Sequence, residues 1–276
     1  MIGQSYLGFT QWAAAEEQPP HLKAILPIWA PSEFYKWSGY HGGAFQLGLL
    51  LLWALTVAPN TAIRLAGGKT EAALPLLEAY DRMDRMYSHL PLGTVRPLKE
   101  SGAASFYFDW LNHPTDDEYW QAKAINRRYG QVRVPAFNIG GWYDLNLHGT
   151  LENYVRTRTE GGSEVARNGQ RLLVGPWAHN ATTGWFYPEL SFGMSADWAL
   201  LDLTALGLRY FDHYLNGVDN GFDREPPVRI FVMGENVWRN EQEWPLAPTV
   251  YTSWYLHSQG DAMGKTAELR ASSPPW

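Results

Sequence analysis

The chain has 276 residues, is 45% hydrophobic and 18% charged, and carries 14 Trp and 15 Tyr, a packed globular profile that argues against disorder. Its formal net charge of -6 at pH 7 offers no basic field to gather phosphates, so nucleic acid is not an expected partner. Cysteine is absent, which removes disulfides, thiolate metal sites and a cysteine nucleophile.

In chain order, Gly3-Gln4-Ser5-Tyr6-Leu7-Gly8 runs into 9–17, whose Ala and Glu content predicts a helix ending at Pro19-Pro20. The apolar run 22–30 (LKAILPIWA) reads as a strand buried on both faces, with Pro27 an awkward member. From Ser32 to about Arg128 the texture changes to helical patches, 46–57, 70–87 and 116–129, broken by Gly and Pro as in an insertion between strands. The most apolar run, 45–58 (FQLGLLLLWALTVA), is shorter than the roughly 20 residues that cross a bilayer, so it reads as a buried helix and no membrane partner is expected.

Two further buried strands, 132–139 (VRVPAFNI) and 171–174 (RLLV), each ending in a glycine turn, flank a short helix at 151–158. Strand, helix, strand implies a parallel sheet and an α/β fold. An amphipathic helix follows at 199–216. After Pro226-Pro227 the pattern turns to strands, 228–233 and 249–256, so a second domain is expected to begin there, with too few residues left to close a sandwich.

Three residues follow strands in an order that carries chemistry. A tight strand-to-helix turn presents a serine hydroxyl above a sheet and aims the free N–H groups of a helix N-terminus at a developing oxyanion; Ser5 occupies such a turn, with the second glycine one residue late. Asp144 follows Gly140-Gly141-Trp142-Tyr143 at the carboxyl edge of the expected sheet, and His179 follows Gly175-Pro176-Trp177-Ala178. Alone, Asp144 reads more readily as a turn or N-cap residue and His179 as a structural histidine. Serine, acid and histidine in that chain order are the α/β-hydrolase arrangement, with Ser5 as nucleophile, Asp144 as orienting acid and His179 as general base. The other histidines show no H-E-x-x-H or comparable spacing, so no metal is expected. Asp116-Asp117-Glu118 reads as the acidic start of a helix.

The sequence resembles the serine hydrolases that include bacterial cocaine esterases, X-Pro dipeptidyl-peptidases and α-amino-acid ester hydrolases. Gly3-Gln4-Ser5-Tyr6-Leu7-Gly8 is similar to their G-x-S-Y-x-G elbow, Gly141-Trp142-Tyr143-Asp144 to the segment bearing their acid, and Gly175-Pro176-Trp177-Ala178-His179 to the segment bearing their histidine. Further likeness lies in Tyr40-His41-Gly42-Gly43-Ala44-Phe45, Asp109-Trp110-Leu111-Asn112-His113-Pro114, Phe211-Asp212-His213-Tyr214-Leu215-Asn216-Gly217 and Glu243-Trp244-Pro245.

This resemblance implies an α/β-hydrolase core in two parts, 1–31 and 131–225, a helical cap at 32–130, and at 226–276 the start of a C-terminal jelly-roll β domain. It also implies an oxyanion hole made by the Tyr6 backbone N–H and an upstream tyrosine. Only Met1 and Ile2 precede Gly3, so that tyrosine has no counterpart here, and the core is expected to be incomplete at its N-terminus. The expected activity is hydrolysis of a carboxylic ester or amide through an acyl-enzyme, without a cofactor, on a small molecule or short peptide. An X-Pro dipeptidyl-peptidase and an inactive fragment lacking the oxyanion tyrosine stand as alternatives. Trp37, Tyr40 and Trp142 are the expected pocket walls. Compartment, oligomeric state and substrate identity are left open.

Overall fold

A computed structural model describes residues 1–179, 186–187, 189–257 and 268–270. Its centre is a six-stranded sheet ordered along its width as β1 (Ile2–Gln4), β2 (Leu26–Ile28), β3 (Phe137–Tyr143), β4 (Arg171–Ala178), β5 (Val228–Val232) and β6 (Val237–Glu241). The first five strands are parallel and β6 turns back against β5. Helix α1 (Tyr6–Glu16) links β1 to β2. Between β2 and β3 lies a helical insertion: α2 (Leu47–Leu65), α3 (Leu74–Tyr80), α4 (Met83–Tyr87), α5 (Arg96–Ser101), α6 (Ser105–Asn112) and α7 (Glu118–Gln121). Helices α8 (Leu147–Glu160) and α9 (Glu164–Asn168) join β3 to β4, and α10 (Leu203–Asn216) lies between β4 and β5.

Alternation along the strands sends apolar side chains to both faces, as a covered parallel sheet requires. Leu26, Ile28, Phe137, Ile139 and Leu173 pack with Tyr210 of α10. On the opposite face Ile25 and Ala136 pack with Phe9 and Trp12 of α1, and Leu172, Val174, Val228 and Ile230 with Tyr154 of α8. The insertion has its own core, in which Leu51, Ala54, Leu55, Ala58 and Ala62 of α2 form one buried stripe. By length and apolarity α2 matches a membrane span; that stripe is buried against Leu76, Val95, Leu98 and Tyr107.

Several elements depart from the sequence reading. The strand expected over 22–30 is regular only at β2, with Pro27 at its centre opposite Gly3 of β1; Pro27 has no N–H to give to β3, and Ile25 donates to Pro135 and Trp29 to Ile139 on either side of it. The strand expected over 132–139 lies instead at β3. Gly140 and Gly141, expected to turn, belong to β3, where a Cβ at Gly141 would lie 2.1 Å from the Trp177 carbonyl oxygen. The patch 70–87 is three short helical pieces, and 116–129 holds only α7 and two 3₁₀ turns. The partner of Val228–Val232, which the sequence pattern left unnamed, is β4, alongside which it runs in parallel, so the central sheet continues through β6. Beyond it, Tyr255–His257 pairs with Glu268–Arg270.

Candidate active site

With β1 ending at Gln4 and α1 beginning at Tyr6, Ser5 alone makes the turn. Its backbone takes φ 58° and ψ -123°, a conformation that costs a non-glycine residue about 1–3 kcal/mol. The neighbours hold it there: the Ser5 N–H donates to Ile28 at 2.8 Å, and its carbonyl accepts from Gly8 and Phe9 at 2.9 and 3.0 Å. Both flanking glycines are explained by close approach. A Cβ at Gly3 would lie 2.8 Å from that of Leu7, and one at Gly8 would lie 3.0 Å from both the Ala30 Cβ and the Ile28 oxygen. Helix α1 therefore crosses β2 at position 8, whereas Leu7 faces solvent at 63% exposure.

The structure brings Ser5, His179 and Asp144 together. His179 Nε2 lies 2.8 Å from Ser5 Oγ, and Nδ1 lies 2.6 Å from Asp144 Oδ2. A register shift in β3 between Gly141 and Tyr143 precedes Asp144, whose N–H donates to the Gly141 carbonyl at 3.0 Å. The second carboxylate oxygen, Oδ1, accepts the Asn146 N–H at 2.6 Å. With Asp144 Oδ2 as acceptor, the imidazole proton belongs on Nδ1 and Nε2 accepts from the serine hydroxyl. Of the first turn of α1, the Tyr6 and Leu7 N–H groups have no carbonyl four residues back within the helix to donate to, whereas Gly8 and Phe9 donate to Ser5.

Ser5 and His179 open into a cavity of about 340 Å³. Phe34, Trp53, Phe106, Trp110, Tyr119 and Trp120 of the helical insertion form aromatic walls. Lys123 also lines it, with Nζ 3.7 Å from the centre of the Tyr119 ring. Burial, aided by the charge of Asp109, raises the Tyr119 phenol above its ordinary value, so it stays neutral.

The three aromatic residues expected as walls do not line this cavity. Trp37 lies against His148, ring centres 3.6 Å apart and tilted by 32°. Tyr40 is buried within the insertion and donates its hydroxyl to the Trp110 carbonyl at 3.0 Å. Trp142 donates its indole N–H to Phe231 at 2.7 Å and packs near Trp244. The sequence reading passed over Trp53 and Phe106; Trp53 stands in the apolar run it treated as core, and nothing in the pattern marks which indole of a helix faces a cavity.

Residues 1–181 match the family described as X-Pro dipeptidyl-peptidase (S15 family). The chain belongs to that family. Residues 220–275 match the X-Pro dipeptidyl-peptidase C-terminal non-catalytic domain. Cocaine esterase of Rhodococcus sp. (strain MB1 Bresler) is 32% identical over 273 residues, which is 96% of this chain and 46% of that protein. The chain thus spans about half the length of that relative. Among solved structures, an aminopeptidase from a marine sediment Thaumarchaeota archaeon superposes with a TM-score of 0.65 at 20% identity, over 99% of this chain and 42% of that one. A CocE/NonD family hydrolase of Staphylococcus aureus does so at 0.59 and 20%, over 94% and 36%. This S15-family member has an α/β-hydrolase type of fold, and the proteins it resembles include ones named as esterase and peptidase.

Proposed function

We propose that this chain carries the nucleophile, base and acid of a serine esterase that works through an acyl-enzyme. The observation that carries the reading is the continuous line of contacts from Ser5 Oγ through His179 to Asp144 at 2.8 and 2.6 Å. His179 Nε2 takes the serine proton as Oγ attacks the ester carbonyl, while Asp144 holds the tautomer and stabilises the imidazolium. The oxyanion develops beside the Tyr6 N–H at the start of α1. His179 then returns the proton to the departing alcohol, and water releases the acyl group by the same route.

Esterase is favoured over X-Pro dipeptidyl-peptidase by the cavity wall. A free α-ammonium needs a carboxylate partner, and among the described residues lining the cavity none is acidic, whereas Lys123 is cationic. The substrate class that fits is an ester with a bulky, flat acyl group, compatible with a remote negative charge. Stopped-flow hydrolysis of a p-nitrophenyl aryl ester should show a burst of nitrophenol, and an X-Pro p-nitroanilide should be turned over far more slowly. Faster cleavage of the anilide would reverse the choice.

A further inference from the structure

Trp29 carries two unfavourable features at one position. Its φ is +51°, a left-handed conformation that a bulky residue avoids. Its side chain is 2% exposed, and the indole nitrogen has no hydrogen-bond partner among the described residues, a cost that folded proteins rarely accept without a reason. Neither feature helps the chain fold. Both stand beside the Ser5–His179–Asp144 line.

The positive φ follows directly on β2 and sets two contacts. Trp29 donates its N–H to Ile139 at 2.7 Å, staying tied to β3, while its carbonyl accepts from Asn146 Nδ2 at 3.0 Å. Its ring lies 5.7 Å from the imidazole of His179 and 5.1 Å from Trp198, and Trp198 is wedged edge-on against the fully buried Trp177 at 4.8 Å. Asn146 is the other half of the device. Its backbone N–H holds Asp144 Oδ1 at 2.6 Å while its side chain holds Trp29, and it is 5% exposed.

We infer that Trp29 and Asn146 form a positioning pair, in which Asn146 locks the Trp29 turn to the Asp144 loop and the Trp29 ring fixes the imidazole of His179 between Ser5 and Asp144. The inference rests on the esterase reading for its effect on rate, and on geometry alone for its effect on His179. One hydrogen-bonded loop thus sets the acid, and one tilted aromatic contact sets the base. An imidazole free to swing on its Cα–Cβ bond would lose alignment with Ser5 while still touching Asp144, and misplacement of about 1 Å costs roughly a hundred-fold in rate.

Two variants of the full chain test this, Asn146→Ala and Trp29→Phe, each measured in two ways. The first is the rate of fluorophosphonate labelling. The second is the downfield proton resonance of the imidazole Nδ1–H bonded to Asp144, which needs no reactive serine and so is read even where the parent does not label. The expected result is labelling slowed roughly 10- to 100-fold with a shifted or broadened resonance, while thermal melting stays cooperative. Trp29→Phe keeps an aromatic filling and loses the unpaired N–H, so it serves if Asn146→Ala does not fold. An unmoved resonance in the folded variants overturns the positioning role whatever the labelling shows. A parent that fails to label overturns the esterase reading and leaves the resonance to decide the positioning pair.

Discussion

Asp144 Oδ2 lies 2.6 Å from Nδ1 of His179, with the Asp144 side chain shielded completely and that of His179 31% exposed. The carboxylate is thus built in and the imidazole reaches out from it toward Ser5. Replacing the acid by its amide keeps the shape of the loop and presents an N–H where an acceptor is needed. Asp144→Asn should therefore melt near the parent temperature and lower kcat by about 10⁴ through the wrong tautomer. Parallel kinetics and melting curves check this.

The crossing of α1 over β2 leaves no room for a side chain at position 8, where a Cβ would meet Ala30 and the Ile28 oxygen at 3.0 Å. That same Ile28 oxygen accepts the Ser5 N–H. Gly8→Ala should cost about 1–3 kcal/mol in chemical denaturation and should also slow acylation, because pushing α1 away from β2 displaces the elbow. A change in stability with unaltered acylation would separate the two.

What the sequence made legible follows from how local each signal is. Asp144 and His179 could be read because each follows an apolar strand run, and strand ends define the active edge of a parallel sheet; Ser5 could be read from its glycine-flanked turn before a helix. Trp37, Tyr40 and Trp142 lie away from the described cavity because the direction of an indole or phenol depends on partners far along the chain: Trp37 on His148, Tyr40 on Trp110, Trp142 on Phe231. The start of β3 was set too early because Val132 and Val134, apolar like strand residues, pack beneath α1 instead. The destination of Val228–Val232 was hidden for a different reason: a strand pattern does not name the strand it pairs with.

The aromatic wall gives a direct substrate test. Trp53 lies 5.4 Å from Phe106 and 5.7 Å from Trp110, so Trp53→Ala should raise KM for a bulky aryl ester roughly ten-fold or more, with a smaller effect on an acetyl ester. Lys123→Gln should lower kcat/KM several-fold for an ester bearing a remote carboxylate, more at low salt than at high, and leave a neutral ester unchanged. Equal effects on both esters would remove Lys123 from substrate selection.

Glu33 offers a pH test of the helical insertion. Burial, foremost, raises its carboxyl above the ordinary value, with the charges of Glu152 and Asp116 adding to it and the N–H groups of Lys36 and Tyr35 opposing it. One of its oxygens is buried without a partner among the described residues. A folded-state pKa above the unfolded one favours the fold below the unfolded carboxylate range, and that contribution is lost as pH rises through the raised value. Glu33→Gln keeps an acceptor for the Lys36 N–H, which Glu33 binds at 2.9 Å. Its Tm should exceed that of the parent at pH 7 and approach it at pH 4, as a pH series of melts would show.

Labelling with a fluorophosphonate followed by peptide mass spectrometry asks most directly whether Ser5 is the activated nucleophile, because only a serine whose proton is taken by a base reacts. The reagent should add once, on the peptide containing Ser5; Ser5→Ala should abolish the adduct, and His179→Ala should slow it by at least about 10³. An adduct on another residue that persists in Ser5→Ala, or labelling of Ser5 at an undiminished rate in His179→Ala, would contradict the account.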